Sequence, residues 1–61
     1  MIYRLITWTD ANRDPIVLEF DSIADAQLAY DRTPDNRHIR RVVLGVQNGR
    51  KWRVLSDRPI K

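Results

Sequence analysis

Three stretches of this chain carry residue types that could do chemistry. Asp10, Asn12 and Asp14 stand at alternate positions, and Asp21 falls twelfth counting from Asp10. That is the ligand spacing of a calcium-binding loop, in which oxygen donors at positions 1, 3, 5 and 12 surround the ion. The sixth position of such a loop needs a flexible glycine, and here it is Pro15. Strand-like rather than helical segments flank it, so a hairpin turn is expected, with no metal. His38 is the single histidine, set among cations in DNRHIRR, residues 35–41. No serine or carboxylate stands near it in a recognisable catalytic spacing. The third stretch, NGRKWRVL over residues 48–55, joins a tight-turn dipeptide to Arg50, Lys51, Trp52 and Arg53. Cations around an aromatic suit phosphate or carboxylate contacts.

The remaining chemistry is excluded by absence. There is no phosphate-binding loop, dinucleotide fingerprint, nucleophile elbow or paired-carboxylate motif. With no cysteine and one histidine, neither disulfides nor a structural zinc site is available. A chain of 61 residues has little volume for a pocket of about 300 Å³ or more. No enzyme activity and no cofactor are expected. Toxin-like ribonucleases are the one enzyme class this small and basic, and they would need His38 or an arginine cluster as catalyst.

Charge is distributed unevenly. Residues 1–35 carry three arginines against seven carboxylates, net −4, whereas residues 36–61 carry eight cations against Asp57, net +7. Nine of the eleven cations are arginine, which suits bidentate contacts better than lysine does. The absence of cysteine fits a reducing compartment, no window approaches the ~18 apolar residues of a membrane span, and MIYRLITW does not resemble a signal peptide. The expectation is a single domain over residues 1–61, cytoplasmic and away from membranes. A domain this small retains roughly 3–5 kcal/mol of stability from one core, so a homodimer is a natural stabiliser.

The elements that must position these residues follow from pattern. Residues 2–9 are β-branched and aromatic and read as a strand. DANRDP, residues 10–15, reads as a turn, and IVLEF, residues 16–20, as a second strand. Ser22 with Asp25 three positions on resembles a capping box. Ile23, Ala26, Ala29 and Tyr30, with Gln27, line one face of a helix over 23–31, which Thr33-Pro34 ends. Two strands, about 39–46 and 50–56, flank Asn48-Gly49, a strong hairpin signal. The expected fold is α+β: an antiparallel sheet of about four strands in ββαββ order, with one helix across one face.

Two registers are open for the last hairpin. A two-residue Asn48-Gly49 loop mixes cations with aliphatics on both faces. A three-residue loop ending at Gly49 gathers Val42, Leu44, Val46, Trp52 and Val54 on one face, and burial of one face favours that register. The expected core is therefore Ile16, Leu18, Phe20, Ile23, Ala26, Tyr30, Val42, Leu44, Val46, Trp52 and Val54, with Trp52 packed under the helix.

The opposite face would then hold Arg41, Lys51 and Arg53 around Val43 and Leu55. It is the first candidate binding surface, extended by Arg40, Arg50, Arg58 and Lys61. A solvated polar face is the plain alternative, but Val43 and Leu55 make it apolar enough to mark an interaction site. The first strand is apolar on both faces, so Tyr3 or Trp8 is a candidate dimer interface, against the plainer reading of a central strand.

The pattern IYRLITW … VLEFDSIADAQLAY … RRVVLGVQNGRKWRVL resembles short phage- and prophage-type accessory proteins. The matching residues are Phe20, Ser22 and Ala26 at the helix start and Trp52 and Val54 in the closing hairpin. The resemblance implies an accessory protein that binds and modulates a host protein or nucleic acid, and it carries over no functional residue. The leading expectation is a non-enzymatic binding module, an inhibitor or regulator that docks a protein with an acidic surface. The alternative is a sequence-tolerant DNA- or RNA-binding module using the basic hairpin.

Overall fold

The computed structural model describes residues 1–11, 13–33 and 38–59. Asn12 of the calcium-like spacing, Pro34 behind the helix and Lys61 of the basic stripe lie outside them. The element order is β1 (Ile2–Thr9), β2 (Ile16–Phe20), α1 (Ile23–Arg32), β3 (Ile39–Asn48) and β4 (Lys51–Pro59). The strands form one antiparallel sheet in the order β2-β1-β3-β4, so the fold is the expected α+β arrangement. Both hairpins pair sequential neighbours, and the helix carries the chain from the β2 edge back to the middle of the sheet. No helix among the described residues is long and apolar enough to cross a membrane.

The helix packs on β1, β2 and β3 and meets β4 only through the Arg58 side chain, which lies on Tyr30. Its small side chains allow close approach: Ala26 is fully buried, with Ala29 and Tyr30 flanking it. Beneath it Leu5 of β1 pairs with Leu44 of β3 on one side and Leu18 of β2 on the other. Leu5, Ala26, Val42 and Leu44 form the buried cluster, with Tyr3, Phe20, Ala29, Tyr30 and Ile39 packed against it. Ser22 stands at the N-cap with extended backbone but makes no side-chain capping bond, so the capping-box expectation fails. The Ser22 carbonyl still accepts the Ala26 N–H at 3.1 Å. At the other end Thr33 leaves the helical region (ψ 118°), and its Oγ1 donates to the Ala29 carbonyl at 2.9 Å.

The last hairpin departs from both expected registers. Asn48 pairs with Lys51, which leaves Gly49-Arg50 as the two-residue loop. Gly49 has φ +63° and Arg50 has a negative φ. A glycine with positive φ at the first central position is the pattern of a type II′ turn, whose twist matches that of the flanking strands. Further along, Gly45 pairs with Val54 but Leu44 pairs with Ser56, so Leu55 is a bulge. One inserted residue moves everything after it to the other face. A second bulge, at Arg40, lies between the Trp8–Arg41 and Thr9–Ile39 pairs.

These registers correct the expected core. Trp52 pairs with Gln47 and Val54 with Gly45, so both stand on the face away from the helix, 42% and 49% exposed. Ile16, Leu18 and Ile23 are likewise exposed, because the short helix leaves the β2 margin partly uncovered. In their place Leu5 is buried, and Val43, on the helix-free face, is 5% exposed at the centre of the sheet.

Candidate interaction surface

The strand pairings sort every side chain onto one face. Ile2, Arg4, Ile6 and Trp8 of β1 lie on the helix-free face. Beside them lie Val17 and Glu19 of β2, Arg41, Val43, Gly45 and Gln47 of β3, and Trp52, Val54 and Asp57 of β4. The β4 bulge makes this grouping possible. Without it Asp57 would share a face with Arg53; with it Asp57 stands opposite Val43 and within reach of Arg41.

The two arginines of this face are held by carboxylates of the same face. Arg41 donates to Asp57 through Nε (2.8 Å to Oδ1) and through Nη2 to Oδ2, a bidentate pair. Hydrogen bonding to Arg41 holds the Asp57 carboxyl below the ordinary aspartate value, and the same pair raises Arg41 above its ordinary value. The Arg41 guanidinium also lies 5.8 Å from the centroid of the Trp8 ring, within cation–π range. Arg4 pairs with Glu19 at 3.3 Å and donates to the Gln47 amide oxygen. The charges therefore cancel locally. What remains facing outward is Trp8 and Trp52 with Ile2, Ile6, Val17 and Val54.

Trp52 owes its position to Gly45. A Cβ built at Gly45 would stand 2.3 and 2.4 Å from Cζ2 and Cη2 of the Trp52 ring. The ring lies across the bare glycine backbone, diagonally over the β3–β4 pair, where no other residue type leaves room for it.

The first candidate surface is thus divided. Arg41 and Val43 lie on the helix-free face, whereas Lys51 and Arg53 pair with Asn48 and Val46 and point to the helix side. Leu55 is the bulge, Arg50 is in the turn, and Arg40, also a bulge, pairs with Asp10 at 3.4 Å. The physical cause is that the helix meets β4 only at Arg58. Along the rest of the strand burial is partial, with Trp52 and Val54 still 42% and 49% exposed, so it selects the register only weakly; the turn and the bulge set it. Arg50, Lys51 and Arg53 form no ion pair among the described residues. Arg58, placed on the helix side by the same bulge, donates to the Thr33 carbonyl at 2.9 Å and lies 4.9 Å from the Tyr30 ring centroid. It closes the C-terminal end of the helix.

The candidate dimer residues are divided too: Trp8 is on the helix-free face, and Tyr3 is packed against the core on the other. The His38 carbonyl accepts the Asp10 N–H at 2.8 Å, which ties the two loops together at one end of the sheet. Among the described residues no group of three or more acidic, histidine or cysteine side chains could hold a metal ion. The residue that sequence reasoning overlooked is Gly45. Its signal was a glycine in the middle of an otherwise β-branched strand, which points to close approach of another group. No protein-family model, curated protein or solved structure matches the chain.

Proposed function

We propose that this chain is a non-enzymatic binding module that docks a protein partner on the helix-free face of its sheet. In the phage-type setting that the resemblance implies, it acts as an inhibitor or regulator and the partner is a host protein. One observation carries the reading: Arg4 and Arg41 are each neutralised by a carboxylate within the face, so the surface on offer is largely apolar, with a tryptophan towards each end. Large exposed apolar patches rimmed by polar groups mark interaction sites, and tryptophan and arginine lead among residues that dominate binding energy. The matching surface on the partner is apolar and close to neutral. This shifts the emphasis from an acidic partner, which would have to compete with Glu19 and Asp57 for the arginines.

A specific observation keeps nucleic acid as a second reading. Arg50, Lys51 and Arg53 carry no ion pair and stand together at the hairpin end, on the turn and the helix side. Such a cluster would track phosphates with salt-dependent affinity.

Adjacent residues of β4 separate the two readings. A photo-crosslinking amino acid at Val54 samples the helix-free face, and one at Arg53 samples the opposite face. The expected result is an adduct of defined mass with one protein from position 54, lost when Trp52→Ala is added. Adducts with nucleic acid from position 53, and none from 54, would transfer the function to the basic cluster. No adduct from either position would leave the docking proposal without support.

A further inference from the structure

The two edges of the sheet differ in how they are guarded. An edge strand presents a row of unpaired N–H and C=O groups, and proteins blunt such rows with charges, prolines and bulges. The β4 edge has all three: Lys51, Arg53 and Arg58, Pro59, and the bulge at Leu55. The β2 edge has neither a proline nor a bulge within the strand, Pro15 standing just before it, and carries only one charge. Ile16-Val17-Leu18-Glu19-Phe20 pairs with β1 in one uninterrupted register, and its single charge, Glu19, is engaged by Arg4 of its own chain. Ile16, Val17 and Leu18 are 47–49% exposed. Alternate residues of this strand direct backbone hydrogen-bonding groups outward with nothing to receive them among the described residues.

We propose that β2 is the pairing edge of a homodimer, joined antiparallel to β2 of a second copy with the two-fold axis at Leu18. The occupant follows from the sequence of the strand. About that axis Leu18 faces Leu18 of the second copy, Ile16 faces Phe20, and Val17 faces Glu19, so neither side meets a like charge directly opposite, a destabilising pairing. A two-fold that pairs strands antiparallel stands perpendicular to the sheet. Both helices then fall on one side and both tryptophan faces on the other, in a continuous eight-stranded sheet. Ile16 and Leu18, left half-covered by their own helix, complete their packing on Phe20 and Leu18 of the second copy. The joint is short, below the ~1,200 Å² of a standard stable interface, so the dimer is reversible and depends on concentration. It uses the sheet edge and not the tryptophan face, so it stands or falls separately from the docking function.

Sedimentation equilibrium across a concentration series tests it. The wild-type chain is expected to move from the 7.2 kDa of one copy toward twice that mass. Leu18→Lys and Leu18→Glu place like charges at the axis and are each expected to weaken dimerisation by about tenfold or more, equivalent to ~1.4 kcal/mol. An equal mixture of the two pairs opposite charges and is expected to restore the dimer as a mixed species. A wild-type chain that stays monomeric up to its solubility limit overturns the proposal. So do single variants that dimerise like wild type, or a mixture that shows no rescue. Should the charged variants lose their β-sheet circular dichroism, Leu18→Cys decides. It introduces the only thiol, and it must cross-link under oxidation faster than Leu55→Cys on the opposite edge; equal rates overturn the pairing.

Discussion

Replacing Gly45 by alanine perturbs the interaction surface at one point and leaves the core untouched. The new Cβ would stand 2.3 Å from the Trp52 ring, whereas carbon atoms rest about 3.5–4.0 Å apart. The ring must therefore withdraw by more than ~1 Å. It has somewhere to go, since Trp52 is 42% exposed on an edge strand. Two opposing terms set the stability. Glycine in a strand costs about 0.5–1 kcal/mol relative to alanine, so the substitution recovers that much. A tryptophan buries at most about 150–250 Å², of which somewhat over half is buried here. Surrendering roughly 50 Å² at ~25 cal/mol/Å² costs about 1.2 kcal/mol. The two nearly cancel.

The expected outcome is a domain whose stability changes by less than about 1 kcal/mol but whose tryptophan surface is dismantled. In a Trp8→Phe background the emission of Trp52 should shift to the red in Gly45→Ala, and its indole N–H resonance should move. In the wild type the Gly45 α-protons should be displaced upfield by the ring above them, and Trp52→Ala should abolish that displacement. Urea unfolding supplies the stability. A loss of more than about 2 kcal/mol would mean that the strands, not the ring, give way, and the reasoning that Trp52 is free to move would fail. Unchanged Trp52 emission would refute the stacking itself.

Two further outcomes follow from the packing and the charges. Leu44 is fully buried between Leu5 and the helix; Leu44→Ala should cost about 2–5 kcal/mol. Against a total of roughly 3–5 kcal/mol that removes about half of the stability or more, visible as a lower urea midpoint and loss of amide protection. Asp57 is held below its ordinary pKa by Arg41, so its contribution to stability is complete above the unfolded aspartate value and is lost as pH falls through the lower folded value. A carboxyl titration by NMR should find the depressed midpoint, and Arg41→Ala should return it to the ordinary range and remove the associated acid dependence of unfolding.

The fold was legible where burial and chain punctuation agree. Ile2–Thr9 and Ile16–Phe20 could be read to their ends from β-branched composition and the turn between them, and the helix from its alanine-rich stripe after Ser22. The alternation of β1, with Arg4 and Trp8 on one face and Leu5 on the other, was equally plain. The surface was not legible, because it depends on one inserted residue. Period-2 reasoning runs Trp52, Val54, Ser56 and Arg58 along one face, and the bulge at Leu55 sends the last two to the other. The assumption that apolar side chains of β4 must be buried also failed. A ten-residue helix meets that strand only at Arg58, so packing under the helix exerts little choice between its faces. The register was instead encoded in backbone terms: positive φ at Gly49 and a missing side chain at Gly45.

That division explains why stability and surface are linked in a domain of this plan. One helix covers three strands on one side, and the other side keeps Ile2, Val17, Trp52 and Val54 in contact with water. The buried cluster is correspondingly small, and any group that covers the exposed face binds only the folded chain. Ligand at a hundred times its dissociation constant stabilises the fold by about 2.7 kcal/mol, which approaches the whole stability of a domain this size. The unfolding temperature should therefore rise with occupancy of the tryptophan face. Gly45→Ala, close to neutral for the free chain, should lose most of that rise. Equal stabilisation of wild type and Gly45→Ala by the same bound protein would place its contact elsewhere on the molecule.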